Sequence, residues 1–182
     1  MQKKFELRTL IVLALLTAIG AVFKAFVSID LFFGGMKITD LSLIALPVIL
    51  AGIYYGPLAG GLVGFVSEMA SFFMIPQGPY NPAFSAVMAL YGVIAGLFYI
   101  RSQKTSLVKT ILMVTLSELI CSAVLTTLLI HLFYSVPLAV LLPSRGVGVL
   151  IKIPLLTALV MVIAERLRPV VNSHRRMAAS AK

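Results

Sequence analysis

The chain has 182 residues, of which 60% are hydrophobic and only 12% charged, with a formal net charge of +9. A soluble domain is about 45–50% apolar and about 25% charged, so this chain cannot cover itself with water-soluble groups and its solvent must be lipid. Lipid leaves two architectures, helices or a closed barrel, because each backbone N–H and C=O has to be satisfied within the protein. The unbroken apolar run from Leu107 to Tyr134 lacks the period of two that a barrel strand needs. The fold class is therefore all-α, a single-domain integral membrane bundle of about six transmembrane helices over residues 1–182.

In chain order the expected spans are about 9–28, 38–55, 58–75, 82–100, 107–134 and 145–166, each near the ~20 residues a bilayer requires. Leu10 to Val27 is too long for a signal-peptide core and no small-residue cleavage site follows, so span 1 is expected to stay. Span 2 is short and carries Pro47, which predicts a kink. Gly56-Pro57 breaks spans 2 and 3, with Pro57 suited to a first helical turn. The stretch Pro76-Gln77-Gly78-Pro79-Tyr80-Asn81-Pro82 separates spans 3 and 4. Pro137 and Pro143 bracket the turn between spans 5 and 6. Cys121 is the single cysteine, so no intrachain disulfide exists.

An even number of spans puts both termini on one side. Lys3, Lys4 and Arg8, then Arg101, Lys104 and Lys109, then Arg166, Arg168, Arg175, Arg176 and Lys182 all fall on that side. This is the positive-inside pattern of a plasma-membrane protein with cytoplasmic termini, not a nucleic-acid surface. Segments 28–37, 76–81 and 135–144 then face outward, and loops of this kind tend to carry binding function.

Charges inside a membrane are costly, by ~2.5–3.5 kcal/mol on insertion scales, and are functional candidates by default. Glu68 in span 3 and Lys152 in span 6 each lie about 10 Å below the outer end at 1.5 Å per residue, and they are opposite in sign. Either they pair with each other or they meet a ligand. Lys24 lies shallower, and it or Lys152 can alternatively snorkel to the interface. His131 reads as an interface residue and Asp40 as a cap for span 2. Arg145 opens span 6, where a cation gains nothing from the helix dipole, so it needs another reason. With Lys37 and Asp30 these residues form an outer cluster of slightly positive balance, suited to a carboxylate-bearing ligand. Phe32, Phe33, Tyr80 and Phe84 either stack on a flat ring or form an interfacial aromatic belt. Glu118 alone sits near mid-membrane, beside Ser117, Cys121 and Ser122.

Small residues recur at helical spacing. Ala14, Ala18, Ala21 and Ala25 share one face of span 1; Gly60 and Gly64 mark span 3; Ala89, Gly92 and Gly96 mark span 4. Such faces permit close packing in lipid. Spans 3 and 4 are expected to use them internally, whereas span 1 fits internal packing or docking to another membrane subunit. The chain has no P-loop, no H-E-x-x-H and no nucleophile elbow, and His131 and His174 are too far apart for a metal site. No enzyme activity, cofactor or metal is expected.

These features together resemble a known family, the S components of energy-coupling factor (ECF) vitamin transporters. Ala14-x-x-x-Ala18 resembles that family's docking motif, and Leu46–Gly52 with Gly56–Gly61 resembles its second and third helices. Pro76–Phe84, Gly92, Gly96–Tyr99 and Pro143-Ser144-Arg145 with Pro154 look most like the folate branch. That branch often has Phe-Pro-Gly-Phe where this chain has Tyr80–Phe84, and a Lys-Asn pair where it has Gly148-Val149, so riboflavin, pantothenate and related vitamins stay open. The resemblance implies a vitamin-binding subunit, folate-like in preference. Its partners would be a shared ECF transmembrane subunit, docked at Ala14 and Ala18, and two ATPase subunits. With the outer cluster, the residues expected to bind substrate are Arg145, Lys152, Glu68, Lys37, Asp40, Tyr80, Asn81 and Phe84. The alternatives are an autonomous channel or proton-coupled carrier using Glu68 and Glu118, or a purely structural membrane subunit.

Overall fold

Apolar runs punctuated by Pro and Gly fold into helices that break at those residues. The computed structural model describes residues 7–33, 36–76, 80–100 and 106–180. In order come α1 (Leu7–Phe26), β1 (Ile29–Phe33), β2 (Met36–Leu41), α2 (Ala45–Tyr55), α3 (Pro57–Met74) and α4 (Pro82–Tyr99). Then follow α5 (Leu107–Ser117), a π-helical segment π1 (Glu118–Thr126), α6 (Thr127–Tyr134) and α7 (Leu138–Ser180). Among the described residues five stretches are long and apolar enough to cross a membrane: Thr9–Phe26, Pro57–Met74, Pro82–Tyr99, Leu107–Phe133 and Leu141–Ala164. The helical membrane bundle expected from composition is therefore present. Its lipid-facing surface carries side chains such as Leu15, Leu58, Leu62, Leu97 and Leu150.

The second span departs from expectation. Residues 36–41 form a strand, and the helix behind it has only 11 residues, about 16 Å at 1.5 Å per residue. Every residue from Ala45 to Tyr54 is buried. A central helix covered by its neighbours never meets lipid, so it need not span; irregular backbone at membrane depth is tolerated where protein surrounds it. Pro47 sits in the first turn of α2, where its missing N–H is one the helix leaves unpaired anyway, so it produces no kink. Asp40 lies on β2 rather than capping α2; the hydroxyl of Ser42 accepts from the N–H of Ile44 instead, at 3.3 Å.

The 28–37 segment is an antiparallel hairpin, β1 against β2, with a bulge between Leu31 and Phe32. The connection before α7 is shorter than expected. Ser135 adopts a left-handed conformation at φ 53°, and α7 begins at Leu138. Arg145 therefore lies two turns inside the helix instead of opening it.

Glycine sets the spacing of α2, α3 and α4. A Cβ placed on Gly60 would lie 2.6 Å from the carbonyl oxygen of Gly92, and one on Gly52 would lie 2.5 Å from the same atom. A Cβ on Gly92 or Gly64 would overlap the backbone of Gly60 or Met88. Backbones in direct contact are how helices associate in lipid, where tails compete equally for apolar surface. The small faces of spans 3 and 4 are thus internal. At the α2–α3 corner, Gly56 at φ 96° makes the turn that Pro57 then starts as a helix.

The alanine face of α1 divides. Ala21 is 3% exposed and Ala25 half-buried, whereas Ala14 and Ala18 are exposed. The half of the stripe nearer the N terminus lies on the outside of this chain.

Candidate substrate-binding site

Two polar groupings stand where one was expected. The first joins α7 to π1. Arg145 is only 6% exposed, and its Nη1 donates to the carbonyl oxygen of Ser122 at 3.4 Å. Ser122 lies on π1, which Glu118 opens; Glu118 is buried. The wide turn has a local cause in sequence. The Thr126 hydroxyl donates to Cys121 O at 2.7 Å and the Thr127 hydroxyl to Ser122 O at 3.3 Å, each five residues back. That is the spacing of a π turn, and such turns recur at functional sites. A guanidinium and a carboxyl group are thus held inside the hydrocarbon layer on facing elements, where ionisable residues are rare without a task.

The second grouping joins α1 to α3. Lys24 Nζ forms an ion pair and hydrogen bond with Glu68 Oε1. Glu68 Oε2 is buried and has no hydrogen-bond partner among the described residues. The pairing of Glu68 with Lys152 expected from depth is corrected by this. Side chains lean toward the N-terminus of their own helix. Lys24, near the C-terminal end of α1, therefore reaches back along that helix to the level of Glu68. Lys152, on α7, leans instead toward the Leu138 end of its own helix. Lys152 is half-buried and makes no ion pair among the described residues. Beside Lys24 a cleft of about 310 Å³, open mouth included, is lined by Ala25, Ser71, Phe72 and Ile75. Its usable volume, about 50 Å³, falls well below the ~300–1,000 Å³ typical of small-molecule pockets.

Aromatic side chains gather at the α3–α4 corner. The Tyr80 ring lies 5.1 Å from that of Phe72 and is stacked on Phe73 at 5.9 Å. Its hydroxyl shares a 2.9 Å hydrogen bond with Ser85. Tyr80 thus continues the wall that Phe72 gives to the cleft. Asn81 has a structural duty: its side chain accepts from Ala83 N at 3.0 Å and caps α4. Phe84 is half-buried in the first turns of α4. His131 Nδ1 is 2.8 Å from Val136 O, so its ring ties down the α6–α7 turn.

Lys37 and Asp40 both lie on β2, with Phe32 opposite Lys37 and Asp30 opposite Asp40 in the backbone register. The side chains of these strands, and residues 77–79 of the turn between α3 and α4, lie outside the described ones. Residues 3, 4, 101, 104 and 182 of the basic clusters lie outside as well. The β2 backbone packs against α7, which brings the hairpin to the helix that carries Arg145 and Lys152. Glu68 and Glu118, the carboxylates of the carrier alternative, face different interfaces: α1 packs on α2 and α3, while π1 packs on α4, α5, α6 and α7.

Sequence reasoning missed the π turn and the Lys24–Glu68 pair. The adjacent Thr126-Thr127, able to bond back to carbonyls, was the available sign of the first. The lean of side chains along each helix was the sign of the second.

The described residues thus form a multi-pass helical membrane bundle with buried ionisable residues and a two-stranded hairpin. The family model "ECF transporter, substrate-specific component" matches residues 8–164, and the chain belongs to that family, a family of plasma-membrane transporter subunits. It is similar to the Folate transporter FolT of Clostridium novyi (strain NT), 25% identical over 150 residues, 82% of this chain and 84% of that protein. The crystal structure of FolT bound with folic acid superposes with a TM-score of 0.75 at 24% identity. It covers 85% of this chain and 90% of that one, which shows the shared fold.

Proposed function

We propose that this substrate-specific component captures folate or a closely related pterin-type vitamin from the outer face. The observation that carries the reading is Arg145, buried two turns into α7 and held to the Ser122 carbonyl of the π turn. A fixed guanidinium at that depth suits a planar carboxylate- or carbonyl-bearing ligand, which it can grip with two parallel bonds. The C. novyi relative is called a folate transporter, and that supports folate ahead of riboflavin or pantothenate. Lys152, Lys37 and Asp40, on α7 and the hairpin packed on it, are assigned to the same site. Glu68, Tyr80 and Phe84, around and beyond the α1–α3 cleft, are assigned to its far wall. Asn81 contributes by fixing the start of α4.

The basic clusters put both termini in the cytoplasm. Ala14 and Ala18 then lie in the inner half of α1, exposed and small, as a docking face for the shared ECF transmembrane subunit. ATP hydrolysis belongs to two partner ATPase subunits. The test is calorimetry on the purified chain against folate, riboflavin, pantothenate, biotin and thiamine, with mass spectrometry of any ligand it retains. Stoichiometric folate binding with the others weaker is expected. Tight binding of a different vitamin would overturn the assignment to folate, and no binding to any would overturn the site.

A further inference from the structure

The π turn and the buried guanidinium meet at one atom. The Ser122 carbonyl oxygen accepts from Arg145 Nη1 at 3.4 Å and from the Thr127 hydroxyl at 3.3 Å. A carbonyl oxygen has two lone pairs, so the two donors can share it. The backbone N–H of Thr127 turns to Val124 O, so what this residue gives the Ser122 carbonyl is its side chain. Thr126 repeats the pattern one residue earlier, donating to Cys121 O at 2.7 Å. Cys121, Ser122 and Thr127 are buried and Thr126 is half-buried.

In a regular α-helix each carbonyl is aimed along the axis by the N–H four residues on. Over Glu118–Thr126 that register is lost, and another donor must aim the carbonyls. The two threonine hydroxyls do so from five residues on; the flanking Leu125 and Leu128 have no polar side-chain atom to offer. The Arg145 contact is longer than the ~2.7–3.2 Å of an ordinary N–H···O bond, so the carbonyl orients the guanidinium more than it binds it. Orientation counts for a planar fork, because fixing the direction of one N–H restricts the plane of the others. We propose that Thr126 and Thr127 are positioning residues for the substrate. Their hydroxyls hold the Ser122 carbonyl where it sets the plane of Arg145, and they act on the ligand only through Arg145. The proposal rests on the reading of Arg145 as a substrate contact given above.

The experiment is a double-mutant cycle on the full chain in detergent, read by calorimetry with folate. Thr126→Val/Thr127→Val keeps the shape of both side chains and removes only the hydroxyls. It should lower folate affinity by about tenfold, the scale of one hydrogen bond lost. Thr126→Ser/Thr127→Ser, which keeps the hydroxyls, should restore most of that affinity. In an Arg145→Ala background the valine pair should have no further effect. An equal loss with and without Arg145 overturns the proposal, because the hydroxyls would then serve the fold at large. Parent-like affinity of the valine pair beside a weakened Arg145→Ala overturns this inference alone. Parent-like affinity of Arg145→Ala overturns the reading of Arg145 itself, and the proposal with it. Thermal unfolding without ligand reports that each variant is folded. If the valine pair does not fold, Thr127→Val alone carries the same cycle, with its loss again expected only where Arg145 is present.

Discussion

The packing of α2, α3 and α4 and the packing of α7 on π1 solve the problem of cohesion in lipid in opposite ways. In the first, Gly52, Gly60, Gly64 and Gly92 bring backbones into direct contact. In the second, Arg145 on α7 and Glu118 on π1 are buried where the regular ladder of π1 has given way to a π turn. The first arrangement has no freedom, because close-packed backbones tolerate no added atom. The second keeps polar groups where a substrate could exchange for internal partners. A subunit that must bind and then release a vitamin needs both, a fixed body and a polar face that the body holds in place.

The sharpest way to break this contrast is to add one methyl group. Gly92→Ala places a Cβ against the Gly60 carbonyl and should destabilise the bundle by about 3 kcal/mol, the upper end of the usual cost of overpacking. Gly146→Ala on α7, where nothing lies within 4 Å of the added atom, should be neutral. Thermal unfolding of both variants in one detergent checks this, and equal stability would dissolve the distinction.

Next in size is Arg145→Ala. It should weaken substrate binding by about 1.5–3 kcal/mol, the worth of a charge-assisted hydrogen bond. Arg145→Lys should recover little, because a point charge cannot reproduce the planar fork. Calorimetry decides it; affinity like the parent protein would reduce Arg145 to a strut between α7 and π1.

The Lys24–Glu68 pair sharpens the comparison from the other side. It is partly exposed, with side-chain exposures of 25% and 10%, so solvent discounts its worth. Lys24→Ala should cost about 1–2 kcal/mol by leaving the Glu68 carboxylate alone at membrane depth. Lys24→Met/Glu68→Leu should restore stability, since two apolar groups need no partner. If that double variant is stable yet binds substrate poorly, the pair belongs to the cavity wall; if it binds normally, the pair only fastens α1 to α3.

The bundle itself was legible in sequence because lipid allows so few solutions: hydropathy, length and the Gly-Pro breaks are enough to place α1, α3 and α4. Span 2 was not, because hydropathy alone cannot tell a strand followed by a short buried helix from one continuous span; both read as largely apolar from Ile38 to Tyr55. At the site, sequence singled out Arg145, Glu68 and Lys24 as residues that needed a reason to be in a membrane. It misjudged who meets whom, because depth along the axis ignores the direction in which a side chain leans and says nothing about which helices are neighbours. The π turn escaped for a related reason: it changes which carbonyls face Arg145 without changing the hydrophobic pattern.

The smallest expected effect on the isolated protein is the most informative about transport. Along α1 the alanine stripe passes from the exterior into the bundle, with Ala14 and Ala18 exposed and Ala21 buried against its neighbours. A Trp at Ala21 must therefore displace the core, and Ala21→Trp should lower stability as an overpacked site does. A Trp at Ala14 or Ala18 meets no atom of this chain's interior. Ala14→Trp and Ala18→Trp should leave folding and vitamin affinity unchanged. If the shared transmembrane subunit docks on this face, the indole would hold the two helices apart and remove the close backbone contact that association in lipid depends on. Energised uptake and co-purification with that subunit should then be lost while binding persists, both measured on the same preparation. Normal uptake by the two variants would leave Ala14 and Ala18 facing lipid alone and move the docking face to another helix.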